Sequence, residues 1–142
     1  MSWVGVSQRA RVVWYASGML RRVSHVNLAV DDVEAARRFY SEVLGLEEIP
    51  RAEGRQRPGA WFRLGALELH LSYEPEPRNA DSKRHVAFEV RELAALRERF
   101  EEAGVRIEEG SALPGIQRFF VRDPSGNRLE FQQTEDRSPR CG

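Results

Sequence analysis

Three residue types that often carry protein chemistry are scarce in this chain. Cysteine occurs once among the 142 residues, as Cys141, so one chain cannot close an internal disulfide. The lack of a disulfide framework is compatible with a cytoplasmic protein, because disulfides persist in oxidising compartments. Lysine also occurs once, as Lys83, and histidine occurs three times, as His25, His70 and His85. The positions of so few histidines are therefore informative.

The chain also lacks an excess of charge of one sign and any long apolar run. Its 22 basic and 22 acidic residues give a formal net charge of zero, which provides no general attraction to nucleic acid or to an anionic membrane. No stretch approaches the roughly 18 apolar residues of a membrane span. The apolar run in "RARVVWYASGML" is too short and too interrupted for a signal peptide. A small molecule is therefore a more suitable partner than nucleic acid or membrane.

Two similar segments indicate an internal duplication. "HVNLAV" (residues 25–30) and "HVAFEV" (residues 85–90) each begin with a histidine, 60 positions apart. Matching residues recur downstream at the same offset: Val33 with Leu93, Arg37 with Arg97, and Tyr40 with Phe100, and Gly45 matches Gly104 after a slip of one residue. Similarity at a fixed offset predicts two copies of one supersecondary unit.

Each copy predicts a strand, a helix and three further strands, in the order βαβββ. Asp31 or Asp32 can cap the first helix by accepting hydrogen bonds from its free N–H groups. Gly45 and Gly104 suit the left-handed residue that often follows a helix. "DPSGN", residues 123–127, is a strong turn signal before the last strand.

The chain is accordingly divided into one domain with two flanking segments. The assigned parts are an N-terminal extension (1–21), a single domain (22–134) built from repeats 22–73 and 84–134, a linker rich in proline and charge (72–84), and a polar tail (135–142).

Side chains alternate between the two faces of a strand, so the predicted strands can be divided into a core face and a polar face. The polar faces carry His25, Asn27, Glu68, His70, His85 and Glu130. If the sheet curls, these groups converge in a concave pocket. Two imidazoles and one carboxylate suit a divalent ion such as Zn, Ni, Mn, Co or Fe. Taken singly, each of these residues is also compatible with a solvated strand face.

Other candidates for substrate binding follow from the same alternation. Trp61 and Arg63 share one face of the third strand, where Arg63 could bind an anionic group of the substrate. Arg118 is a similar candidate on the seventh strand. Asn27, two residues after His25, could donate a hydrogen bond to a substrate oxygen or orient a metal ligand. The alternatives are solvated arginines at the rim and a core position for Trp61.

The segments "HVNLAVDDVEAARRFYSEVLGL", "HVAFEV" and "FFVRDPSGNRLEF" resemble the vicinal oxygen chelate superfamily, which includes glyoxalases, fosfomycin-resistance enzymes, extradiol dioxygenases and bleomycin-binding proteins. The resemblance covers roughly Arg22 to Gln133. It implies an α+β fold in which paired βαβββ modules form a cupped, incomplete eight-stranded barrel around a divalent metal. It also implies a homodimer, often with modules of two chains completing each site.

The resemblance also assigns roles to individual residues. It places metal ligands at His25, His85 and Glu130, and a fourth ligand of glyoxalase-like members at Glu68, with His70 as a competitor. Glu130 and Glu68 are then the candidate catalytic carboxylates, which could move a proton.

The implied function is a metal-dependent enzyme acting on a small oxygenated substrate, as a lyase or isomerase, or by adding a thiol or water. A fosfomycin-type transferase is disfavoured, since Phe120 and Arg118 stand where that family has tyrosine and serine. The alternative is a metal-free, bleomycin-resistance-like protein that sequesters a small ligand. Trp61, Phe119 and Phe120 would then matter most.

Overall fold

The computed structural model describes residues 18–135, and each half of this range folds as one βαβββ module. The first module contains β1 (His25–Val30), α1 (Val33–Arg38), β2 (Glu47–Ile49), β3 (Gly59–Leu64) and β4 (Leu67–Tyr73). The second contains β5 (His85–Glu89), α2 (Leu93–Glu102), β6 (Ile107–Glu109), β7 (Ile116–Arg122) and β8 (Arg128–Thr134). Most of the predicted N-terminal extension and nearly all of the polar tail, with Cys141, lie outside the described residues.

The strands of each module form their own four-stranded sheet. The strand orders are β1-β4-β3-β2 and β5-β8-β7-β6. In each sheet the pair that includes the first strand is parallel, and the other pairs are antiparallel. The predicted α+β class with paired modules is confirmed, and the two sheets are not closed into one continuous barrel. β1 and β5 are therefore edge strands of their sheets.

The first helix begins as predicted but ends in an irregular turn. Asp32 caps α1 as expected, since its Oδ1 accepts a hydrogen bond from the Ala35 N–H at 3.0 Å. From Phe39 to Val43, however, the chain forms a π-helical turn, in which the Leu44 N–H donates to the Phe39 carbonyl oxygen. The wider turn directs both Phe39 and Tyr40 into the core, where both are buried.

One hydrophobic core joins the two modules. Its buried members come from both sheets and both helices and include Phe39, Tyr40, Phe62, Leu69, Leu71, Phe100, Phe119, Leu129 and Phe131. The rings of Phe39 and Phe100 stack with their centroids 6.2 Å apart, so the π-helical turn after α1 meets α2 at this contact. The predicted core faces of β4 and β8 are confirmed, which leaves the polar side chains of both sheets on the opposite faces.

The "DPSGN" turn is more than a connection, because it attaches the second module to the first. The Tyr40 hydroxyl donates a hydrogen bond of 2.7 Å to Asp123 Oδ2. Asp123 Oδ1 accepts bonds from the backbone N–H groups of Ser125 and Asn127. Burial raises the pKa of the Asp123 carboxyl, against the opposing effect of these hydrogen bonds, and burial also raises the pKa of the Tyr40 hydroxyl.

The same turn also holds the end of the first strand. The Ala29 carbonyl oxygen accepts hydrogen bonds from the side-chain amides of Asn127 at 2.8 Å and Asn79 at 2.9 Å. Asn79 belongs to the linker, and Ser72 and Tyr73, which the predicted linker shares with the first repeat, complete β4. Among the described residues, neither helix is long and apolar enough to cross a membrane.

Candidate functional site

His70 lies at the centre of a stack of three aromatic rings on the polar face of the first sheet. Its ring is parallel to that of Trp61, with centroids 4.0 Å apart and an interplanar angle of 3°. On its other side it stacks on His25, at 4.2 Å and 14°. The stack follows from strand register, since Trp61 is paired with His70 across β3 and β4, and β1 lies beside β4. His70 is consequently only 8 % exposed.

Two polar groups fix the histidines of this stack. Glu68 Oε2 lies 2.8 Å from His70 Nε2, so the carboxylate accepts the hydrogen bond of that ring nitrogen. The Ser24 hydroxyl is 3.0 Å from His25 Nδ1. This contact leaves His25 Nε2 as the nitrogen that can bind another group. Asn27, on the same face, accepts a hydrogen bond from the Ser72 hydroxyl at 2.9 Å.

His85 has a hydrogen-bond acceptor beside each of its ring nitrogens. Nδ1 lies 2.9 Å from the Lys83 carbonyl oxygen, and Nε2 lies 3.0 Å from Glu130 Oε2. A neutral imidazole has one N–H, so it can satisfy one acceptor and must present a lone pair to the other. A positive charge between Nε2 and Glu130 removes this conflict, whether it is a proton or a metal ion. The donor set of His85 and Glu130 therefore fits a divalent cation.

Glu130 is a buried carboxylate whose charge is compensated by its neighbours. It is 5 % exposed, and its Oε1 accepts a hydrogen bond from Arg118 Nη1 at 3.1 Å. Phe120 lies edge-to-face with His85, at 5.5 Å between centroids, and the guanidinium of Arg128 sits 3.8 Å from the Phe120 ring centroid. Phe120 thus packs among the charged groups of this half-site and is almost completely buried.

The structure divides the predicted metal ligands into two groups. His25 and Glu68 lie with His70 on the first sheet, whereas His85 and Glu130 lie on the second. Within residues 18–135, no three histidine, cysteine, aspartate or glutamate side chains are close enough together to hold one ion. The expected convergence of His25, His85 and Glu130 is therefore not present within one chain.

The predicted substrate residues also separate. Trp61, His70 and Asn27 line one cavity of about 420 Å³ together with His25 and Glu68. Arg63 is not part of its lining, and its guanidinium lies 3.7 Å from the exposed Glu47 carboxylate instead. Sequence reasoning missed three arginines of this cavity, Arg22, Arg51 and Arg55. The basic residues in "PRAEGRQRPG" (50–59) were the signal that could have indicated the last two.

Comparison with known proteins identifies the family. The model of the Glyoxalase/Bleomycin resistance protein/Dioxygenase superfamily matches residues 22–131. The chain is 34% identical over 119 residues to glutathione transferase FosA of Serratia marcescens. The aligned region covers 80% of this chain and 81% of FosA. The chain belongs to this superfamily, as the sequence resemblance implied.

Solved structures agree with that assignment. A glyoxalase family protein from Bacillus anthracis has a TM-score of 0.75 and 34% identity, covering 82% of this chain and 97% of its own. The fosfomycin resistance protein FosX from Listeria monocytogenes, solved with Mn(II) and 1S,2S-dihydroxypropylphosphonic acid, has a TM-score of 0.69. Its identity is 20%, with coverage of 82% and 94%, so it supports the fold alone.

Proposed function

We propose that this chain is a divalent-metal-dependent enzyme of the glyoxalase type that acts on a small oxygenated substrate. The observation that carries the proposal is the environment of His85, which has acceptor oxygens beside both ring nitrogens. A carboxylate oxygen and an imidazole nitrogen 3.0 Å apart are ligand types that first-row transition metals accept, and a metal ion beside them would satisfy both. The family membership and the enzymes among the similar proteins support the same conclusion.

The proposed ligands are His25, His85 and Glu130, with a second copy of the chain completing each site. Two observations support a shared site. His25 lies apart from the other two within one chain, and both first strands, β1 and β5, are sheet edges on which another chain can pack. His25 of one chain would then meet His85 and Glu130 of its partner, as the isologous contacts of a two-fold dimer allow.

His70 is assigned a supporting role in this proposal. Its stacking on His25 and the Ser24 contact restrict the His25 ring, so that Nε2 is presented in one orientation. Because Glu68 is bonded to His70, it is better placed to exchange a proton than to coordinate an ion. We therefore assign Glu68 as the general base and leave it out of the ligand set.

A divalent ion held by the three ligands would supply Lewis acidity toward an oxygen of the substrate. The chain's own groups complete the chemistry. Arg118 neutralises Glu130 and keeps its second oxygen directed toward His85. The Glu68 carboxylate, 39 % exposed, can accept a proton from the substrate, which leaves the negative charge on the substrate, and the hydrogen bond to His70 holds the carboxylate in position. An isomerisation needs such a proton transfer beside a polarised oxygen, followed by return of the proton to a different atom of the substrate. A lyase reaction needs the same abstraction and the departure of a leaving group from the neighbouring atom of the substrate.

Addition of a thiol or water is the second candidate reaction. The 34% identity to a protein named as a glutathione transferase favours it. Phe120 and Arg118 argue against fosfomycin as the substrate, since they engage His85, Arg128 and Glu130 rather than facing open space. Incubation of the metal-loaded protein with fosfomycin, with and without glutathione, tests this candidate through the disappearance of fosfomycin.

Metal content after loading and dialysis tests the main proposal. We expect about one tightly bound ion per chain when the protein is exposed in turn to Mn, Co, Ni and Zn. His85→Ala and Glu130→Gln each remove a ligand and should lose that ion, whereas Glu89→Gln, an exposed carboxylate on β5, should retain it. Circular dichroism checks that each variant is folded. Retention of the ion by His85→Ala, or a wild-type protein that binds none, would contradict the proposal and favour metal-free ligand binding.

A mixed dimer tests whether two chains share the site. In a dimer of one His25→Ala chain and one Glu130→Gln chain, one shared site keeps all three ligands and the other loses two. We expect such heterodimers, isolated through two different tags, to bind about one ion per dimer, while each homodimer binds weakly. If each site came from a single chain, the heterodimer would bind no better than the homodimers.

A further inference from the structure

The cavity on the polar face of the first sheet has an arginine-rich side that the proposed metal chemistry does not use. Arg22 precedes β1, and Arg51 and Arg55 belong to the segment between β2 and β3. All three line the cavity of about 420 Å³ that also contains His25 and Glu68. We call the part of the cavity formed by these three residues the arginine pocket.

None of the three guanidinium groups is paired with a carboxylate among the described residues. Arg22 Nη1 donates to the Ala66 carbonyl oxygen at 2.6 Å, and Arg51 Nη2 donates to the Arg57 carbonyl oxygen at 2.7 Å. Arg55 lies over the Trp61 ring, 5.5 Å from its centroid. These contacts hold the side chains in place without neutralising their charge.

Arg51 provides the most specific indication of a ligand. Its Nε is buried and has no hydrogen-bond partner among the described residues, although a buried donor is nearly always satisfied in a folded protein. Its guanidinium packs on Gly59, where an added Cβ would lie 3.4 Å from Arg51 Cζ and 2.2 Å from the Leu71 carbonyl oxygen. The clash with the Leu71 backbone explains the glycine, and the guanidinium packs against its open side at an ordinary contact distance.

The net charge of the cavity indicates the kind of group that fits. Its lining has three guanidinium groups and one carboxylate, Glu68, which gives a formal charge of +2 with the histidines neutral. Guanidinium groups match the oxygens of carboxylates and phosphates, often through paired hydrogen bonds. A phosphate group carries about −1.5 to −2 charges near neutral pH. A tetrahedral dianion therefore balances the pocket better than a carboxylate does.

We propose that the arginine pocket binds a phosphate-like dianionic group, so that the substrate or co-substrate of this protein carries such a group. The inference deepens the proposed function, because it places a charged end of the molecule beside His25. Binding of the dianion itself does not require a metal, so the two proposals can be tested separately. Arg51 is assigned as the principal contact, with Arg22 and Arg55 contributing charge.

Titration of the metal-free protein with methylphosphonate tests the assignment. After treatment with a chelator, binding is followed by ³¹P NMR or calorimetry at low ionic strength. We expect saturable binding that is weakened about tenfold to a hundredfold by Arg51→Gln, because a hydrogen bond to a charged group is lost. Arg57→Gln is the matched control, because its side chain belongs to the same loop but does not line the cavity. Arg51→Lys, which keeps the charge, should weaken binding less than Arg51→Gln does.

Each outcome decides one part of the inference. Absence of saturable binding, or equal binding by Arg51→Gln and the wild-type protein, would overturn the assignment of the site. Acetate binding as tightly as methylphosphonate would overturn the preference for a dianion. Inorganic phosphate is titrated as well. Because it is also a tetrahedral dianion, we expect it to compete with methylphosphonate for the pocket. Loss of phosphonate binding in Arg51→Gln with normal metal content would support this inference independently of the metal site.

Discussion

The two modules share one backbone plan and one core, but their polar faces have become different. In the first module His25 is held by ring stacking and a serine hydroxyl, next to a cavity with three arginines. In the second, His85 is held by a backbone carbonyl and the buried carboxylate of Glu130. The comparison indicates that the two copies kept the residues that determine the module's fold, while the residues on their polar faces diverged.

The shared features include side-chain contacts as well as secondary structure. Arg37 of α1 pairs with Glu48 of β2, and Arg97 of α2 pairs with Glu109 of β6. The aromatic position of each helix is also kept, as Tyr40 and Phe100, both buried. Only Tyr40 has a hydroxyl, and this hydroxyl bonds to Asp123 of the other module. The tyrosine at this position of the first module therefore forms a hydrogen bond between the two modules, which the phenylalanine of the second module cannot form.

The largest expected effect comes from the paired aromatic positions. Phe100→Ala should lower the free energy of unfolding by about 4 kcal/mol, because a fully buried ring leaves a cavity. Tyr40→Ala should cost more, since Asp123 also loses a buried hydrogen-bond donor. Urea denaturation measures both, with Glu98→Ala on the exposed side of α2 as the control, expected to change stability by less than about 0.5 kcal/mol. If Tyr40→Ala lowers the free energy of unfolding by less than Phe100→Ala does, the hydrogen bond from Tyr40 to Asp123 does not stabilise the contact between the modules.

An intermediate effect is expected at Asp123, which has no buried counterpart in the first module among the described residues. Asp123→Asn should cost about 2 kcal/mol at neutral pH, because one carboxylate oxygen that accepts from Tyr40 and Asn127 becomes an amide donor.

The difference in stability between the wild-type protein and Asp123→Asn should change with pH in one direction. Burial raises the pKa of Asp123 above its ordinary value of 3.8, so the folded state holds the proton to higher pH than the unfolded chain does. The stability advantage of wild type over Asp123→Asn should therefore fall as pH rises through this window and level off above the folded pKa. Unfolding curves for both proteins between pH 3 and 8 test it, and an advantage that grows over the same interval would contradict the assignment.

The smallest effects are expected from the two repeated ion pairs. Arg37→Ala and Arg97→Ala should each lower the melting temperature by less than about 2 °C, because exposed pairs are screened by water and salt. Hydrogen bonding from Arg97 lowers the pKa of Glu109, so the contribution of that pair is present at neutral pH and is lost as pH falls through the folded pKa. Thermal melts at low and high salt measure both variants. A large, salt-independent loss at one pair alone would mean that the modules differ there too.

The sequence predicted the modules, the caps and the core faces, because these depend on local pattern. Asp32, Gly45 and Gly104 behave as their residue types favour, with both glycines in the left-handed region. The alternation of "LELHLSY" correctly placed Glu68 and His70 together on the polar face, with Leu69 in the core.

Other features depended on information that one sequence does not contain. The stack of Trp61 on His70 arises from the register of β3 against β4, which alternation within each strand cannot determine. Convergence of the ligands was expected if the sheet curls, and the family resemblance also implied that two chains often complete each site. Two separate sheets place His25 and His85 on different polar faces. The arginine pocket was missed because Arg51 and Arg55 lie in a loop, where no periodicity indicates direction.

The attachment of β1 by Asn79 and Asn127 determines where this fold can change. Both amides meet on one backbone oxygen of Ala29, so the linker and the "DPSGN" turn have fixed lengths, and an insertion in either would displace the strand that carries His25. The loop of residues 50–58 has no comparable anchor to the second module among the described residues. Its length and composition can therefore vary, and selectivity for new ligands can evolve there while the scaffold stays intact.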